Sequence, residues 1–411
     1  MKRITKFVAA AAAIMLLAGC VDSVFKQGSA ANPPTDVKVV AGDSSATVTW
    51  TATPSVQYWL FAALADAVTP QNWDQLPGGR TVINVSSPVV VTGLLNGSTY
   101  SFTLNGRTDN GPGGAGSPSI SVVPRLAGGT WTTGTALAND LRGITYGTVF
   151  VSVGANGSIY TSPDFNVWTP VTWTSQATSL AAPVDLNAAV YANSLYIVVG
   201  SAGTILTSSD AVTWTTRPTG TTNALYGVAA NGLGGFVAVG EKGTILVSVD
   251  GVNWTSVNSG VTADLYDTIY GYGAYVAVGA KGTLLATGAD TATWVALTSN
   301  TSSDLRGIAF GVSTITGSYE YIAVGAAGAT LISADGVTWV PQTPITTRNL
   351  NSITYNRQFI LVGDGGTVIT SADGTAMTLQ TSGTSNNLNA VSHSIYGLAA
   401  VGSAGTNLSG L

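Results

Sequence analysis

The chain has 411 residues, only 9% of which are charged, and a formal net charge of −5. This length allows two or three domains with a sizeable core, and a hydrophobic content of 45% excludes a disordered chain. There is no cluster of Lys or Arg, which excludes nucleic acid as a partner, because phosphate binding needs a basic face. The abundance of Gly, Ser, Thr and Val is typical of an all-β, exported protein.

The first 20 residues have the features of an export signal. Lys2, Arg3 and Lys6 precede an apolar run, 7–17, that is too short to span a bilayer. The run ends in Leu-Ala-Gly-Cys, which resembles the lipobox of bacterial lipoproteins and implies that Cys20 becomes a lipid-bearing N-terminus. An ordinary signal peptide followed by a chance cysteine is the alternative.

The lipobox resemblance implies a protein of the cell envelope that is anchored to a membrane through lipid on Cys20 and does not span it. The same resemblance implies that residues 1–19 are the signal peptide and that 20–32 form a polar tether. Val21, in place of Asp, resembles outer-membrane sorting, so the outer membrane or cell surface is the expected location. Removing the leader leaves 12 of the 15 basic residues against 20 acidic ones, a net charge of −8. Cys20 is the only cysteine, so no intrachain disulfide can form.

Residues 33–125 predict a separate β-sandwich. Short alternating strands such as DVKVV and SATVTW are separated by turns at the spacing of that fold. The stretch resembles a fibronectin type III domain through Trp50, through Leu94 or Leu95, and through Tyr100 in NGSTYSF, which is similar to that family's tyrosine corner. The resemblance implies either a spacer that holds the rest of the chain away from the membrane or a binding platform.

One block recurs along the remainder of the chain, as in GFVAVGEKGTILVSVDGVNW at 235–254. Two apolar or β-branched runs joined by a Gly-containing turn predict a β-hairpin. The Gly that ends the first run occurs seven times, 38 to 46 residues apart, and a second Gly follows three residues later. The seven are Gly154, Gly200, Gly240, Gly279, Gly325, Gly363 and Gly402.

A repeat of this length with four short strands is typical of β-propeller blades. Residues 126–411 therefore predict a seven-bladed β-propeller, which follows the fibronectin type III β-sandwich in an all-β chain. The seventh copy ends at Leu411 without an outer strand, and Trp131 is expected to supply an N-terminal strand that closes the ring. Inserts at 175–183 and 311–319 lengthen two repeats and predict loops.

The block VAVGxxGTILxSxDGxxW resembles two groups of propeller repeats. One is the Asp-box (BNR) repeat of sialidases and sortilin-like receptors, and the other is the repeat of the photosystem II assembly and stability factors. The resemblance covers about 131–411 and implies a propeller that binds other molecules. The interval from Asp250 to Trp254 is one residue shorter than in the standard Asp-box.

The repeated Asp and the aromatic residue that closes the block are expected to be structural. A turn Asp accepts hydrogen bonds from backbone N–H groups one to three residues on, and copies in successive blades point in different directions, so they cannot form one site. The Trp is expected to cover the gap between blades. The Asp series is Asp164, Asp210, Asp250, Asp290, Asp335 and Asp373; the aromatic series is Trp168, Trp214, Trp254, Trp294 and Trp339, with Met377 in the sixth copy.

An enzyme is not expected. A sialidase needs three arginines with a Tyr–Glu pair, and a glycosidase needs two facing carboxylates. The propeller has five arginines but only Glu241 and Glu320 as glutamates, and neither glutamate lies where the repeat places a central site. His393, the only histidine, is expected to be solvated, and no His, Cys or carboxylate cluster predicts a metal. No cofactor is expected. The arginines are Arg142, Arg217, Arg306, Arg348 and Arg357.

One set of positions is repeated in place but differs in residue type. Each inner strand starts with a Leu: Leu141, Leu186, Leu225, Leu265, Leu305, Leu350 and Leu388. The residues that follow should ring the mouth of the central channel, where long polar and aromatic side chains suit a peptide or a glycan. The candidate binding residues are Arg142, Asn187, Tyr226, Tyr266, Arg306, Asn351 and Asn389.

Two interpretations of this ring stay open. In the first, these side chains form a binding face. In the second, Asp and Asn cap loops and the arginines pair with neighbouring acids such as Asp140, Asp185, Asp264 and Asp304, which is common and often idle at surfaces.

We therefore expect an exported, membrane-anchored, non-catalytic binding or scaffold protein, whose propeller recognises a protein or peptide partner. A carbohydrate-binding protein or a glycan hydrolase of the sialidase-like propeller type is the alternative, and a purely structural surface protein is a third. Paired carboxylates at the channel mouth would favour hydrolysis, whereas Arg, Tyr and Asn without them favour recognition. A monomer is expected.

Overall fold

A computed structural model describes residues 28–164, 169–171, 184–288, 291–394 and 397–410. This part of the chain consists of β-strands, 3₁₀ turns and loops. None of the helices in these residues is long and apolar enough to cross a membrane. The predicted signal peptide, Cys20 and most of the tether lie outside the described residues. Contacts group the chain into two units: Met1–Lys38, Val48–Val89 and Tyr100–Ser121 in the first, and Val39–Thr47, Val90–Thr99 and Val122–Leu411 in the second.

The N-terminal region contains two sheets and one 3₁₀ turn, Trp73–Gln75. The five-stranded sheet has the order Ala30–Ala31, Tyr100–Arg107, Gln57–Ala63 and Arg80–Val85, with Ile120–Val122 also beside Tyr100–Arg107. The three-stranded sheet has the order Lys38–Gly42, Ser45–Thr49 and Val89–Thr92.

The aromatic residues picked out in this region are buried. Trp50 directly follows the strand Ser45–Thr49 rather than lying in it, and its ring meets that of Tyr58 edge-on at 5.6 Å. Tyr100 begins a strand that is buried at every position. Of the two leucines left open by the sequence, Leu94 is 2% exposed and Leu95 is 62% exposed, so Leu94 is the core residue.

The remainder of the described chain forms seven four-stranded antiparallel sheets, numbered 1 to 7 here in chain order. In sheets 1 to 6 the strands follow one another from a first to a fourth strand. In sheet 7 the fourth strand comes from the other end of this region, because Trp131–Thr133 pairs with Asn407–Gly410. This is the position that the sequence assigned to Trp131.

The strand bounds repeat closely from sheet to sheet. The first strands are Leu141–Tyr146, Leu186–Ala192, Leu225–Ala230, Leu265–Gly271, Leu305–Val312, Leu350–Tyr355 and Leu388–Ser394. The second strands are Phe150–Gly154, Leu195–Gly200, Phe236–Gly240, Ala274–Gly279, Tyr319–Gly325, Phe359–Gly363 and Gly397–Gly402. The third strands are Ile159–Ser162, Ile205–Ser208, Ile245–Ser248, Leu284–Thr287, Thr330–Ser333, Thr367–Ser371 and Asn407–Gly410. The fourth strands are Thr169–Val171, Thr215–Arg217, Thr255–Val257, Val295–Leu297, Val340–Pro341, Met377–Gln380 and Trp131–Thr133.

The seven sheets form a closed ring. The first strand of each sheet lies beside the first strands of its two neighbours, and Leu388–Ser394 of sheet 7 lies beside Leu141–Tyr146 of sheet 1. The first strands are therefore the innermost ones. Second and third strands are joined by 3₁₀ turns: Ala155–Gly157, Ser201–Gly203, Glu241–Gly243, Ala280–Gly282, Ala326–Gly328, Asp364–Gly366 and Ser403–Gly405.

The Gly-x-x-Gly spacing follows from two close backbone approaches. In sheet 3, a Cβ on Gly240 would lie 2.0 Å from the carbonyl oxygen of Ala224. A Cβ on Gly243 would lie 2.2 Å from that of Val261, and Gly243 also has a φ of +70°. Only glycine fits both positions without moving the backbone.

Apolar side chains fill the gaps between consecutive sheets. Between sheets 3 and 4, Val237, Val239 and Ile245 pack against Leu265 and Tyr275, and all five are fully buried. The same layer occurs at the other boundaries, and its outer end holds the repeated Trp where it is described. These are Trp131, Trp214, Trp254, Trp294 and Trp339.

The repeated Asp stabilises the turn that follows the third strand, as expected. Asp250 accepts the N–H groups of Val252 and Asn253, both at 2.8 Å. Asp210, Asp335 and Asp373 accept the equivalent pairs at 2.7 to 2.9 Å. Asp290 and Trp168 lie outside the described residues.

The insert 311–319 was expected to be a loop, and that expectation is only partly right. Gly311 and Val312 extend the first strand of sheet 5 and Tyr319 begins the second, because these residues pair across the hairpin. The loop itself is 313–318. The insert 175–183 lies outside the described residues.

Candidate functional site

The seven candidate binding residues occupy one position of the fold. Each is the second residue of a first strand, and each is partly buried. Because the innermost strands of the ring all start at the same end, the seven side chains lie around one mouth. We call them the rim: Arg142, Asn187, Tyr226, Tyr266, Arg306, Asn351 and Asn389.

One arc of the rim runs over sheets 1 to 4. Arg142 Nη1 donates to Asn187 Oδ1 at 3.1 Å, and Asn187 Nδ2 donates to the carbonyl oxygen of Leu225 at 2.8 Å. The rings of Tyr226 and Tyr266 follow, with centroids 5.8 Å apart. Each of these contacts crosses a boundary between two sheets.

A second arc runs over sheets 5 to 7 and back to sheet 1. Arg306 Nη1 donates to Asn351 Oδ1 at 2.9 Å, and Asn351 Nδ2 donates to the carbonyl oxygen of Leu388 at 3.0 Å. Asn389 Nδ2 donates to the carbonyl oxygen of Leu141 at 2.7 Å, which joins the last sheet to the first. The rim residues are thus held in position before any ligand binds.

A second row of polar side chains lies directly before the strand-initiating leucines, and we call it the acceptor row. In sheet 4, Asp264 Oδ1 accepts the backbone N–H of Lys242, the middle residue of the 3₁₀ turn of sheet 3, at 2.8 Å. Lys242 has a φ of +55°, which turns its N–H towards the next sheet. The same bond, at 2.6 to 3.0 Å, joins Asn156 to Asp185, Lys281 to Asp304, Ala327 to Asn349, Gly365 to Asn387 and Ala404 to Asp140.

The acceptor row has one gap, between sheets 2 and 3. Ala224 stands where the other sheets have Asp or Asn, so it offers no side-chain oxygen to the N–H of Ala202. Glu241 lies at this gap: its carboxylate accepts the N–H of Ala224 at 3.3 Å and pairs with Lys242 Nζ at 2.6 Å. The gap adjoins the rim residue Tyr226, which lies two positions after Ala224.

Ion pairing, the alternative that the sequence left open, occurs at Arg142. Its Nη2 lies 2.9 Å from Asp185 Oδ2, and the two side chains are 38% and 36% exposed. Exposed ion pairs contribute at most about 1 kcal/mol. Arg142 is therefore oriented by its neighbours and remains accessible to a ligand.

The two tyrosines of the rim remain hydrogen-bond donors at neutral pH. Burial raises the pKa of Tyr226, and the carboxylates of Asp264 and Glu241 raise it further. Burial likewise raises the pKa of Tyr266, followed by the effects of Asp304 and Asp264. Their phenol groups are thus protonated and can donate to a carbonyl or carboxylate oxygen. Glu241 is thus close enough to the rim for its charge to act on Tyr226.

Asp267, directly inside the rim, was missed by the sequence analysis. It is the third residue of the first strand of sheet 4, and its two carboxylate oxygens accept the N–H groups of Thr268 and Ile308 at 2.8 and 3.0 Å. Burial raises its pKa to about 7. The sequence held a signal for it, because the other six sheets have a small residue there: Gly143, Ala188, Gly227, Gly307, Ser352 and Ala390.

The other residues considered for catalysis lie apart from one another. His393 is an exposed residue in the first strand of sheet 7, with Nδ1 3.2 Å from Thr354 Oγ1. Glu320 is in the second strand of sheet 5, and burial raises its pKa. Within the described ranges no three His, Cys, Asp or Glu residues are grouped so that they could hold a metal ion.

An open groove of about 540 Å³ lies beside the 3₁₀ turn of sheet 6. Its lining includes Arg348, Gly366, Gln380 and Ser385. Arg348 Nη1 donates to the carbonyl oxygen of Gly365 in the 3₁₀ turn of sheet 6 at 2.5 Å, so the groove lies on the same face as the acceptor row. Its volume is in the range of about 300–1,000 Å³ usual for ligand sites.

No protein-family model matches this chain, and no curated protein matches it significantly. Solved structures do match. The chain is similar to YCF48 from Cyanidioschyzon merolae, with a TM-score of 0.54 and 16% identity over 68% of this chain and 98% of that one. It is also similar to a structure described as YCF48 bound to D1 peptide, with a TM-score of 0.53 and 17% identity over 68% of this chain and 96% of that one. Matches at identities this low show a common fold alone, and that fold supports the resemblance of the repeats to propeller repeats.

Proposed function

We propose that this chain is a non-catalytic binding protein of the cell envelope, whose propeller recognises a protein or peptide partner at the rim. The observation that carries the proposal is the rim itself, in which two guanidinium groups, two phenols and three amides surround one mouth. Guanidinium groups donate hydrogen bonds to carboxylates and to peptide carbonyl oxygens, whereas phenols and amides can both donate to and accept from peptide groups. One structural neighbour is described as bound to a peptide, which supports the same class of ligand.

The architecture in this proposal has seven blades. The seven four-stranded sheets and the ring of first strands support it, as does the strand Trp131–Thr133 that completes sheet 7. We assign 33–125 to a fibronectin type III domain, supported by the two sheets and by buried Trp50, Leu94 and Tyr100. The propeller is assigned to 126–411. The first domain acts as a spacer in this account.

The anchor in this proposal is lipid on Cys20, after removal of the signal peptide 1–19, with 20–32 as the tether. The charged start, the short apolar run and the Leu-Ala-Gly-Cys sequence support it. The expected location is the outer membrane or cell surface. A Cys20→Ser variant should leave the membrane fraction, and mass spectrometry should find acyl chains on the wild type alone.

The carboxylates near the mouth favour recognition over hydrolysis, because they are already hydrogen-bonded to backbone N–H groups. Asp140, Asp185, Asp264 and Asp304 each accept a backbone N–H of the neighbouring sheet. Asp267 accepts two backbone N–H groups. These acids hold the ring together, and the rim amides orient the two guanidinium groups. The two phenols and the guanidinium N–H groups outside these bonds remain for a ligand.

The test is a capture experiment with the full-length chain, solubilised in mild detergent and incubated with envelope extract. An Arg142→Ala/Arg306→Ala double variant removes both charges of the rim. Arg217→Ala is the matched control, because Arg217 lies in a fourth strand and donates to Thr207 Oγ1 at 2.8 Å. We expect a partner that the wild type and the control retain and the double variant loses.

A partner retained equally by all three proteins would place recognition elsewhere and contradict the role of the rim. The absence of any captured protein would contradict the class of partner. Circular dichroism of the double variant is the folding control, since unfolding would make the loss of binding uninformative about the rim. In that case Arg142→Gln/Arg306→Gln, which also removes both charges, replaces it.

A further inference from the structure

Two exposed tyrosines lie at the opposite end of the sheets from the rim. Tyr272 is in the turn between the first and second strands of sheet 4 and is 75% exposed; Tyr319 begins the second strand of sheet 5 and is 50% exposed. Their ring centroids are 5.5 Å apart at an interplanar angle of 52°. Phe310 stacks on Tyr319 at 5.5 Å with an angle of 8°. We call these three rings the aromatic platform.

The position of Tyr272 is strained. Tyr272 and Gly273 form a two-residue hairpin turn with φ values of +49° and +85°. Such turns favour Asn, Asp or Gly at the first position, and the corresponding turn of sheet 2 indeed begins with Asn193. A bulky aromatic residue in the left-handed region costs about 1–2 kcal/mol. Strain that is kept to present an exposed ring points to a function for that ring.

The fold also leaves space for the ring of Phe310, which packs under Tyr319. Gly271 ends the first strand of sheet 4, and a Cβ there would lie 2.6 Å from the ring of Phe310. The Tyr321 hydroxyl donates to the carbonyl oxygen of Gly271 at 2.5 Å, which ties the two sheets together at this point. The absence of a side chain at Gly271 and the bond from Tyr321 therefore hold Phe310 in its position beside Tyr319.

The chemistry of the platform is uncharged and rich in hydroxyl groups. The segments that form it, 270–274 and 310–319, contain no Asp, Glu, Lys, Arg or His. Besides the two phenols they carry Ser313, Thr314, Thr316 and Ser318. An anionic membrane surface or a nucleic acid would require basic residues there. Sugars, by contrast, stack the apolar face of the pyranose ring on an aromatic ring and hydrogen-bond through their hydroxyls.

We propose that the aromatic platform binds a neutral oligosaccharide, at a site separate from the rim. Tyr272 and Tyr319 each stack on one pyranose ring of the same oligosaccharide. This site adds glycan binding to a protein whose rim takes a peptide. It does not depend on the proposed function of the rim.

The test measures retardation of the full-length chain in native gels that contain soluble neutral polysaccharides: hydroxyethyl cellulose, glucomannan, laminarin and glycol chitin. The key variant is Tyr272→Asn. Asparagine suits the left-handed turn, so we expect unchanged or raised thermal stability together with a tenfold or greater loss of affinity for the retarding polysaccharide. Tyr319→Ala should weaken binding to a similar extent.

The matched control is Leu233→Ala, in the first-to-second strand turn of sheet 3, where Leu233 is 88% exposed. We expect it to bind like the wild type, as should the Arg142→Ala/Arg306→Ala variant, which separates this site from the rim. No retardation by any of the four polysaccharides, or equal retardation of wild type and Tyr272→Asn, would overturn the proposal. Binding to phosphatidylglycerol vesicles, or self-association, that is lost in Tyr272→Asn without any glycan binding would assign the platform to another ligand and also overturn it.

Discussion

Two aspartates in neighbouring sheets each accept two backbone N–H groups, yet their pKa values are shifted in opposite directions. Asp335, in the outer turn of sheet 5, accepts the N–H groups of Val337 and Thr338 at 2.8 and 2.7 Å. Asp267, in the innermost strand of sheet 4, accepts two N–H groups at 2.8 and 3.0 Å. The pKa of Asp335 is lowered to about 2 by those bonds, whereas burial raises the pKa of Asp267 to about 7.

The difference shows which effect decides the charge of an acid in this fold. Two backbone donors favour the carboxylate in both places. Asp335 is exposed and loses little hydration, so the hydrogen bonds dominate. At Asp267 the loss of hydration inside the ring outweighs the same bonds. Outer acids therefore stabilise the folded chain as carboxylates, and the inner acid stabilises it when protonated.

The largest expected effect comes from Asp267. Because its folded pKa is raised from 3.8 to about 7, its contribution to stability is full below about pH 4 and is lost as the pH rises to about 7. The free energy of unfolding of Asp267→Asn should therefore rise relative to wild type by about 2–4 kcal/mol across that interval. Urea unfolding at pH 4, 5.5, 7 and 8 measures it, and a pH-independent difference would contradict the assignment.

The outer acid should behave in the opposite sense. Its lowered pKa means that the contribution of Asp335 is present above about pH 4 and is lost as the pH falls towards 2. Asp335→Ala should cost about 1 kcal/mol at pH 7, and the difference should shrink in acid. The same titration series checks it, with Val337→Ala as the control in that turn. A difference that grew in acid would refute the account.

The acceptor row allows a third test, of bonds that cross sheet boundaries. Asp304→Ala removes the acceptor of the Lys281 N–H and should cost about 1 kcal/mol. Hydrogen exchange should accelerate at the 3₁₀ turn Ala280–Gly282 of the preceding sheet, and not at the outer turn that holds Asp335. Exchange that accelerated only within sheet 5 would show that the bond does not couple the sheets.

The smallest expected effect is a gain. Ala224→Asp should fill the gap in the acceptor row and give the N–H of Ala202 the partner that its six counterparts have. We expect stabilisation by about 0.5–1 kcal/mol in thermal unfolding at neutral pH. Ala224→Ser, with a shorter side chain, is the control. A destabilised Ala224→Asp would indicate that Glu241, which occupies this gap, repels the new carboxylate.

The repeating parts of the fold were accessible from the sequence because they are local. Gly240 and Gly243 mark a turn within one hairpin, and Asp250 accepts bonds from residues two and three positions on. The rim was accessible for a related reason: the start of each first strand is fixed by its Leu. Trp131 could be placed because the seventh copy lacked an outer strand.

The bond from Ala404 to Asp140, the aromatic platform and the ion pair of Arg142 could not be derived from the sequence, because they depend on contacts between residues far apart in the chain. The bond from the Ala404 N–H to Asp140 closes the ring over 264 positions, and no local pattern encodes it. The aromatic platform combines a turn of sheet 4 with a strand of sheet 5, so neither Tyr272 nor Tyr319 stands out alone. The sequence also could not show whether Arg142 forms an ion pair, because its partner Asp185 belongs to the neighbouring sheet.

Site-specific photo-cross-linking in cells can show whether the partner binds at the rim. A benzoylphenylalanine placed at Tyr226 lies on the rim, and one placed at Leu233 lies at the other end of the same sheet. We expect a cross-linked partner from position 226 that disappears with Arg142→Ala/Arg306→Ala, and no cross-link to that partner from position 233. The same partner cross-linked from position 233 and not from 226 would contradict it.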